Sequence, residues 1–136
     1  MAENIRLEVV TPEKEVVNDM AQIVMAPGSL GEFGVLSGHT PYMTSLKTGA
    51  IHYRDESGKD QLVFVSGGFA EALPDKITVL AESAEKMKDI DSERAKEAME
   101  RAEKRLAEDR AKEKVDIARA KAALERAMVR IKIAGL

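Results

Sequence analysis

A long stretch without helix breakers constrains this chain most. Residues 91–133 contain no Gly and no Pro and are dominated by Ala, Glu, Lys and Arg, which are strong helix formers. The apolar residues recur at alternating steps of three and four, which places each set on one helix face. These residues are Ala95, Met99, Ala102, Leu106, Ile117, Ala120, Leu124, Ala127 and Ile131. Because much of this seam is alanine, it buries little apolar area and should dock weakly.

The middle of this stretch allows two arrangements. Residues 108–116 contain no Gly, Pro or Ser, and Asp116 is an acceptable N-cap for a second helix. Residues 92–134 could equally form one continuous helix, roughly 65 Å long at 1.5 Å per residue. The sequence therefore predicts a two-helix hairpin that is able to extend into a rod.

The residues before this stretch predict strands. Apolar residues alternate with others in 5–10, and shorter apolar runs follow between turns rich in Gly, Pro and Asp. Many short strands at close spacing are typical of an antiparallel sandwich or barrel. We predict an α+β fold, with an antiparallel β-sandwich in residues 1–84 and the two-helix hairpin in residues 85–136. The further strands are predicted at 16–17, 21–26, 42–46, 50–54, 61–65, 69–73 and 77–81.

Composition and charge exclude several classes of function. The absence of Cys excludes disulfides, a thiolate nucleophile and a cysteine-based zinc site. No apolar run has the length of a membrane span, and the polar N-terminus does not resemble a signal peptide, so we expect a cytoplasmic protein. Residues 110–136 hold 8 Lys and Arg against 3 Asp and Glu, on a chain of net charge -3. This basic end predicts an acidic partner surface or a bound anion, with a solvated helix face as the alternative.

No set of residues predicts catalysis. The Gly-rich segment 28–34 lacks the Gly-Lys-Ser/Thr that completes a P-loop, and Ser66 lacks the nucleophile-elbow pattern. His39 and His52 lie in different contexts without ligand spacing, so we predict no metal site. The acidic sandwich has no basic-aromatic patch, which argues against nucleic-acid binding. The sequence therefore predicts a binding or regulatory protein rather than an enzyme.

Two arginines near the C-terminus stand out. Arg126 and Arg130 have no Asp or Glu three or four positions away, and at that spacing they repel each other. A phosphate or a carboxylate on another chain would relieve this repulsion, because the planar guanidinium binds oxyanions through two hydrogen bonds. The alternative is two arginines on an exposed face in water.

Three ordered blocks resemble the epsilon subunit of the F-type ATP synthase. They are G-E-F-G-V-L-S-G-H-T-P at 31–41, V-S-G-G-F at 65–69 and D-I-D-S-E-R-A at 89–95. The resemblance covers the whole chain in order and spacing. Phe33 and Ser37 depart from the Leu and Pro of the family pattern.

The resemblance implies a non-catalytic rotor subunit of a proton- or sodium-translocating complex. The sandwich would seat on the gamma subunit and the c-ring, with Glu32 toward the c-ring and His39 toward gamma. The extended tail would meet an acidic segment of the beta subunit, next to alpha, and block ATP hydrolysis. Its basic contacts would be Arg105 and Arg119, supported by Arg110, Lys112, Lys114 and Lys121. The complex implies a peripheral position at the cytoplasmic face of a bacterial inner membrane, reached only through the other subunits.

Some bacterial members of this family bind ATP on the folded hairpin as a regulatory ligand. We predict no metal ion in this chain. The matching residues are Glu85, Asp91, Arg94, Ala95, Arg101, Arg126 and Arg130. The last two are the arginines singled out above, and we expect bound ATP to favour the hairpin. From the residues alone, a β-domain plus coiled-coil adaptor or chaperone unrelated to ATP synthase stays an alternative.

Overall fold

The protein folds into two units of different secondary structure. The structure, a computed structural model, describes residues 3–108 and 114–135, without the side chains of 114–116. The units are Met1–Met87, a β-sandwich, and Lys88–Leu136, a pair of α-helices, and the predicted fold class is confirmed. We placed the domain border after Ala84 from composition, and the structure divides the units after Met87.

One hydrogen-bonded sheet folds over itself to make both layers of the sandwich. In the described part of the chain its strands are β1 (Ile5–Val10), β2 (Glu15–Gly28), β3 (Gly31–Val35), β4 (Tyr42–Leu46), β5 (Gly49–Asp55), β6 (Asp60–Val65), β7 (Gly68–Ala72), β8 (Lys76–Leu80) and β9 (Ala84–Lys86). Their order is β1-β8-β7-β4-β2-β5-β6-β9, with β3 paired to β2 and β1 paired to β2 as well. Neighbouring strands are antiparallel except for β1 and β8. A 3-10 turn, Met87–Asp89, follows β9.

Strand β2 differs from the prediction. We expected two short strands at 16–17 and 21–26, whereas one strand runs from Glu15 to Gly28. The polar residues between the predicted strands have cross-strand partners: Arg6 donates to Asn18 (2.7 Å), and the Tyr53 hydroxyl donates to Asp19 (2.6 Å). The interruption seen in the sequence is therefore compatible with a continuous strand. The register of the pairing between β2 and β5 shifts between Ala21 and Ile23.

The core between the layers is aliphatic, as a chain with 4% aromatic residues requires. Ile5, Leu7 and Val9 of β1 are fully buried, because alternate residues of a strand point to the same face. Phe64 and Tyr53 are aromatic residues buried in the sandwich. Burial raises the pKa of the Tyr53 phenol, and the hydrogen bond to Asp19 raises that pKa further. Keeping the phenol protonated preserves its role as the hydrogen-bond donor.

The second unit consists of α1 (Ser92–Glu108) and α2 (Lys114–Ile133), which pack against each other. The five residues between them can span less than the length of α1, so the pair is antiparallel. Helix α2 begins before Asp116, and the expectation of Asp116 as its N-cap was wrong. Among the described side chains of the two helices, the buried ones are Ala95, Ala102, Ala120, Ala127 and Ile133.

Candidate functional site

The glycine-rich block of the sandwich forms an exposed edge. Strand β3 pairs only with β2 among the described strands, and Glu32 is exposed on it. The tight connection before it depends on glycine: Gly31 has φ +133°, and a Cβ on Gly28 would lie 2.6 Å from the Gly31 carbonyl oxygen. Leu30, at the tip of this turn, is 92% exposed. The block thus presents Glu32 and Leu30 on a rigid turn.

His39 lies in the loop between β3 and β4, and its side chain is half-buried. Its Nδ1 lies 2.5 Å from the carbonyl oxygen of Thr40. Since a carbonyl oxygen only accepts, the ring donates this hydrogen bond through Nδ1–H. The His39 ring also lies beside Tyr42, whose ring packs edge-on against Phe33 with centroids 5.4 Å apart. His39 therefore belongs to a cluster of rings with Tyr42 and Phe33.

Sequence reasoning missed an apolar patch on the outer face of β4, β7 and β8, which we define as Met43, Phe69 and Leu80. Their exposed fractions are 66%, 59% and 58%, and Phe69 is the direct cross-strand neighbour of Leu80. A groove of about 600 Å³ runs beside Phe69 and Leu80 and reaches Pro12. Large apolar side chains on an outer face mark a contact surface. The available signal was the alternation in β7, which points a large apolar residue outward where a polar one is usual.

The block at 65–69 has a structural reason for its glycine at position 68. Gly68 has φ +115°, and a Cβ there would lie 2.1 Å from the Leu80 carbonyl oxygen. Ser66 is buried, and its hydroxyl bonds to the Ser83 hydroxyl at 2.5 Å. This block closes β7 onto β8, and it thereby places Phe69 beside Leu80.

The predicted ATP residues of the second unit lie at the start and in the middle of α1 and in α2. The Asp91 carboxylate accepts a hydrogen bond from the Arg94 backbone N–H (3.1 Å), which makes Asp91 the N-cap of α1. Ala95 is buried, whereas Arg94 and Arg101 are exposed. Glu85 lies in β9 of the other unit.

The buried alanines fix which side of the hairpin each arginine occupies. A residue that directly precedes a buried alanine lies to one side of the helix contact, and in an antiparallel pair this is the same side for both helices. Arg94, Arg101 and Arg126 each hold such a position. Arg130, three residues after Ala127, falls on that side too. We call these four residues the arginine face. Arg126 and Arg130 are half-buried, and Glu85 and Arg130 each interact with other groups of the chain.

The residues predicted to meet the beta subunit are only partly described. Arg105 and Arg119 are exposed, on the same side as the arginine face, and Lys121 is exposed on α2. Arg110 and Lys112 lie outside the described residues, as does the side chain of Lys114. Neither α1 nor α2 combines the length and apolar character that a membrane-spanning helix needs. Within the described residues, no three His, Asp or Glu side chains group as metal ligands.

Comparison with known proteins agrees with this architecture. Residues 4–87 match the ATP synthase Delta/Epsilon chain beta-sandwich domain, and residues 88–135 match the long alpha-helix domain of the same chain. An ATP synthase epsilon chain of Desulfosudis oleivorans is 71% identical over 106 residues, covering 78% of this chain and 80% of the relative. That of Desulforapulum autotrophicum is 63% identical over 108 residues, covering 79% and 80%.

Two solved structures share the fold. A chain in the Euglena gracilis mitochondrial ATP synthase structure (OSCP/F1/c-ring) aligns with TM-score 0.78 and 23% identity, covering 94% of this chain and 79% of that one. A chain in the Tetrahymena thermophila mitochondrial ATP synthase structure (central stalk/c-ring) aligns with TM-score 0.63 and 12% identity, covering 98% of both. With both domains matched in order and close relatives over most of its length, the chain belongs to the epsilon-subunit family of the F-type ATP synthase.

Proposed function

We propose that this chain couples the gamma subunit to the c-ring as a non-catalytic rotor subunit, peripheral to the cytoplasmic face of a bacterial inner membrane. The observation that carries the proposal is the apolar patch of Met43, Phe69 and Leu80. An exposed apolar surface of this kind on a small acidic sandwich needs a protein partner to cover it. The family membership supports gamma as that partner. In this proposal His39, four residues before Met43 in the chain, also contacts gamma, and Glu32 contacts the c-ring.

Co-purification with gamma and the c-ring tests this rotor role. We expect the double variant Phe69→Ser, Leu80→Ser to lose gamma while keeping its fold, because both side chains are already exposed in the isolated chain. Gln22→Ser, an exposed substitution on β2, is the matched control and should keep gamma. Retention of gamma by the double variant would refute the patch as the docking surface. A circular dichroism spectrum of each variant excludes misfolding as the cause.

We further propose that the hairpin binds ATP as a regulatory ligand and that its extended form inhibits ATP hydrolysis at the alpha and beta subunits. The arginine face supports the nucleotide proposal, because it collects guanidinium groups of both helices on one side of the seam. A triphosphate bridging Arg101 and Arg126 would bind the hairpin and not the rod, and it would therefore favour the hairpin. Arg105 and Arg119 are left to meet the acidic beta segment when the tail extends.

Titration of the full chain with ATP, followed by backbone NMR and compared with GTP, tests the nucleotide site. We expect saturable, ATP-selective shifts in the hairpin that disappear in the double variant Arg101→Ala, Arg126→Ala. Lys96→Ala is the control, because Lys96 is an exposed cation of α1 on the opposite side of the seam. Unchanged affinity in the double variant would place any ATP elsewhere. Hydrolysis by the complex, measured with and without residues 110–136, tests inhibition independently of ATP binding.

A further inference from the structure

The hairpin carries an apolar groove on the side opposite the arginine face. Met99 of α1 and Leu124, Met128 and Ile131 of α2 line it, and its volume is about 590 Å³. Met128 is 54% exposed and the other three are half-buried. The nucleotide and beta-subunit residues proposed above do not line this groove, with the exception of Lys121. It is therefore a second surface of the same unit.

The shape of this surface fits another helix. Two antiparallel helices with an open apolar groove along one side form half of a four-helix bundle, and a second hairpin completes the other half. Burying Met128 and its apolar neighbours between two hairpins would remove their apolar surface from water, which favours association. The charged residues at the rim of the groove determine which helix can pack into it.

The rim charges of α2 are complementary to those of a second, antiparallel α2. Glu125 and Lys132 are exposed and seven residues apart, so they lie on one helix face, about 10 Å apart along the axis. A two-fold axis over Met128 and Val129 brings Glu125 of each copy level with Lys132 of the other. Within the described part of the chain neither residue forms an ion pair. Both charges are thus left for an outside partner.

We propose that the groove is a homodimer interface, in which α2 of one copy packs antiparallel against α2 of a second copy, with Met128 at the centre and two symmetric Glu125–Lys132 ion pairs. The apolar groove supplies the association, and the ion pairs set the register. This isologous contact closes on itself as a dimer and does not propagate. It concerns the unassembled chain and is independent of the rotor role and of ATP binding.

Sedimentation of the full chain from low-micromolar to near-millimolar concentration tests the dimer. We expect a reversible monomer–dimer equilibrium. Glu125→Lys or Lys132→Glu alone should weaken it by about tenfold or more, because each change turns two attractive pairs into repulsive ones. The double variant Glu125→Lys, Lys132→Glu should restore it, since the pairs are then reversed in sign and still attractive. Lys104→Glu, an exposed reversal on α1 away from the groove, should have no effect.

A cross-link locates the two-fold axis. The chain has no cysteine, so Met128→Cys introduces a single thiol, which should link two copies under mild oxidation, whereas Lys104→Cys should not. A chain that stays monomeric at all concentrations overturns the proposal. So does a dimer that is unaffected by the charge variants and not linked through position 128. Binding of the monomer to anionic phospholipid vesicles, blocked by Met128→Glu, would assign the groove to lipid and overturn it as well.

Discussion

The close approach of β7 and β8 at Gly68 allows a quantitative prediction. A Cβ at Gly68 would lie 2.1 Å from the Leu80 carbonyl oxygen and 2.8 Å from the Ala81 Cα, both of which are backbone atoms that cannot rotate away. The backbone φ of +115° adds strain of about 1–3 kcal/mol for any L side chain. Overpacking adds a further cost of about 1–3 kcal/mol. Alanine also restricts the unfolded chain more than glycine does, which offsets about 0.4–1 kcal/mol of this cost. Gly68→Ala should therefore lower the free energy of unfolding by about 1–6 kcal/mol.

Gly38 provides the matched control for this experiment. Its φ is +83°, but a Cβ there would meet no atom within 4 Å. Gly38→Ala carries the conformational strain without the collision, and its net cost should be about 1 kcal/mol or less. Urea unfolding of both variants, followed by circular dichroism and fitted with a common slope, measures the difference. If Gly68→Ala costs no more than Gly38→Ala, the collision with Leu80 does not govern this position.

Three further predictions concern the turn after β5 and the hairpin. Hydrogen bonds from the Ser57 hydroxyl and from backbone N–H groups lower the pKa of Asp55 from 3.8 to about 2, so its stabilisation is present above pH 3.8 and lost as pH falls through about 2. The free energy of unfolding, measured from pH 5 to pH 2, should differ less and less between the wild type and Asp55→Asn as the pH falls. A constant difference would show that these hydrogen bonds to the carboxylate are not the source of the stabilisation. Asp91→Ala should destabilise the helical unit by about 1 kcal/mol, and Asp91→Ser should retain most of the cap; equal thermal unfolding of all three chains would rule out capping. Ala127→Leu should push the two helices apart, because Ala127 is fully buried, whereas Ala122→Leu at an exposed position should not. Spin-label distances between α1 and α2 measure this difference. Equal distances in the two variants would show that the seam tolerates a larger side chain.

The parts of the fold that depend on local chemistry were predicted well. Strand β1 has the predicted bounds, because alternation over six residues and a following Pro are local signals. The division of β2 into two strands failed because Asn18 and Asp19 are satisfied by residues distant in sequence, Arg6 and Tyr53. The parallel pairing of β1 with β8 is equally non-local. Turn residues and periodicity fix the elements, while pairing depends on contacts that one sequence does not display.

The candidate sites also differ in how far the sequence alone could predict them. Arg126 and Arg130 were singled out from the sequence because a helix places residues four apart on one side. Their alignment with Arg94 and Arg101 required the observed pairing of α1 with α2. The apolar patch was missed because Phe69 and Leu80 become neighbours only when β7 pairs with β8. Sequence periodicity thus points to a candidate site carried by one element and misses a candidate site that two elements share.

The alanine seam connects the geometry of the hairpin to its proposed regulation. Small buried residues let the helices approach closely, which brings arginines of both helices to one side of the seam. The alanines keep their own share of the docking energy small: four buried alanine methyl groups, at about 0.8 kcal/mol each, contribute about 3 kcal/mol before the burial of Ile133 is added and the entropy of docking is subtracted. A ligand at 100 times its Kd stabilises the form it binds by about 2.7 kcal/mol. Because these energies are comparable, an anion that bridges the arginine face would favour the hairpin over the rod in the way we propose, whereas a leucine seam would hold the hairpin closed with or without the ligand.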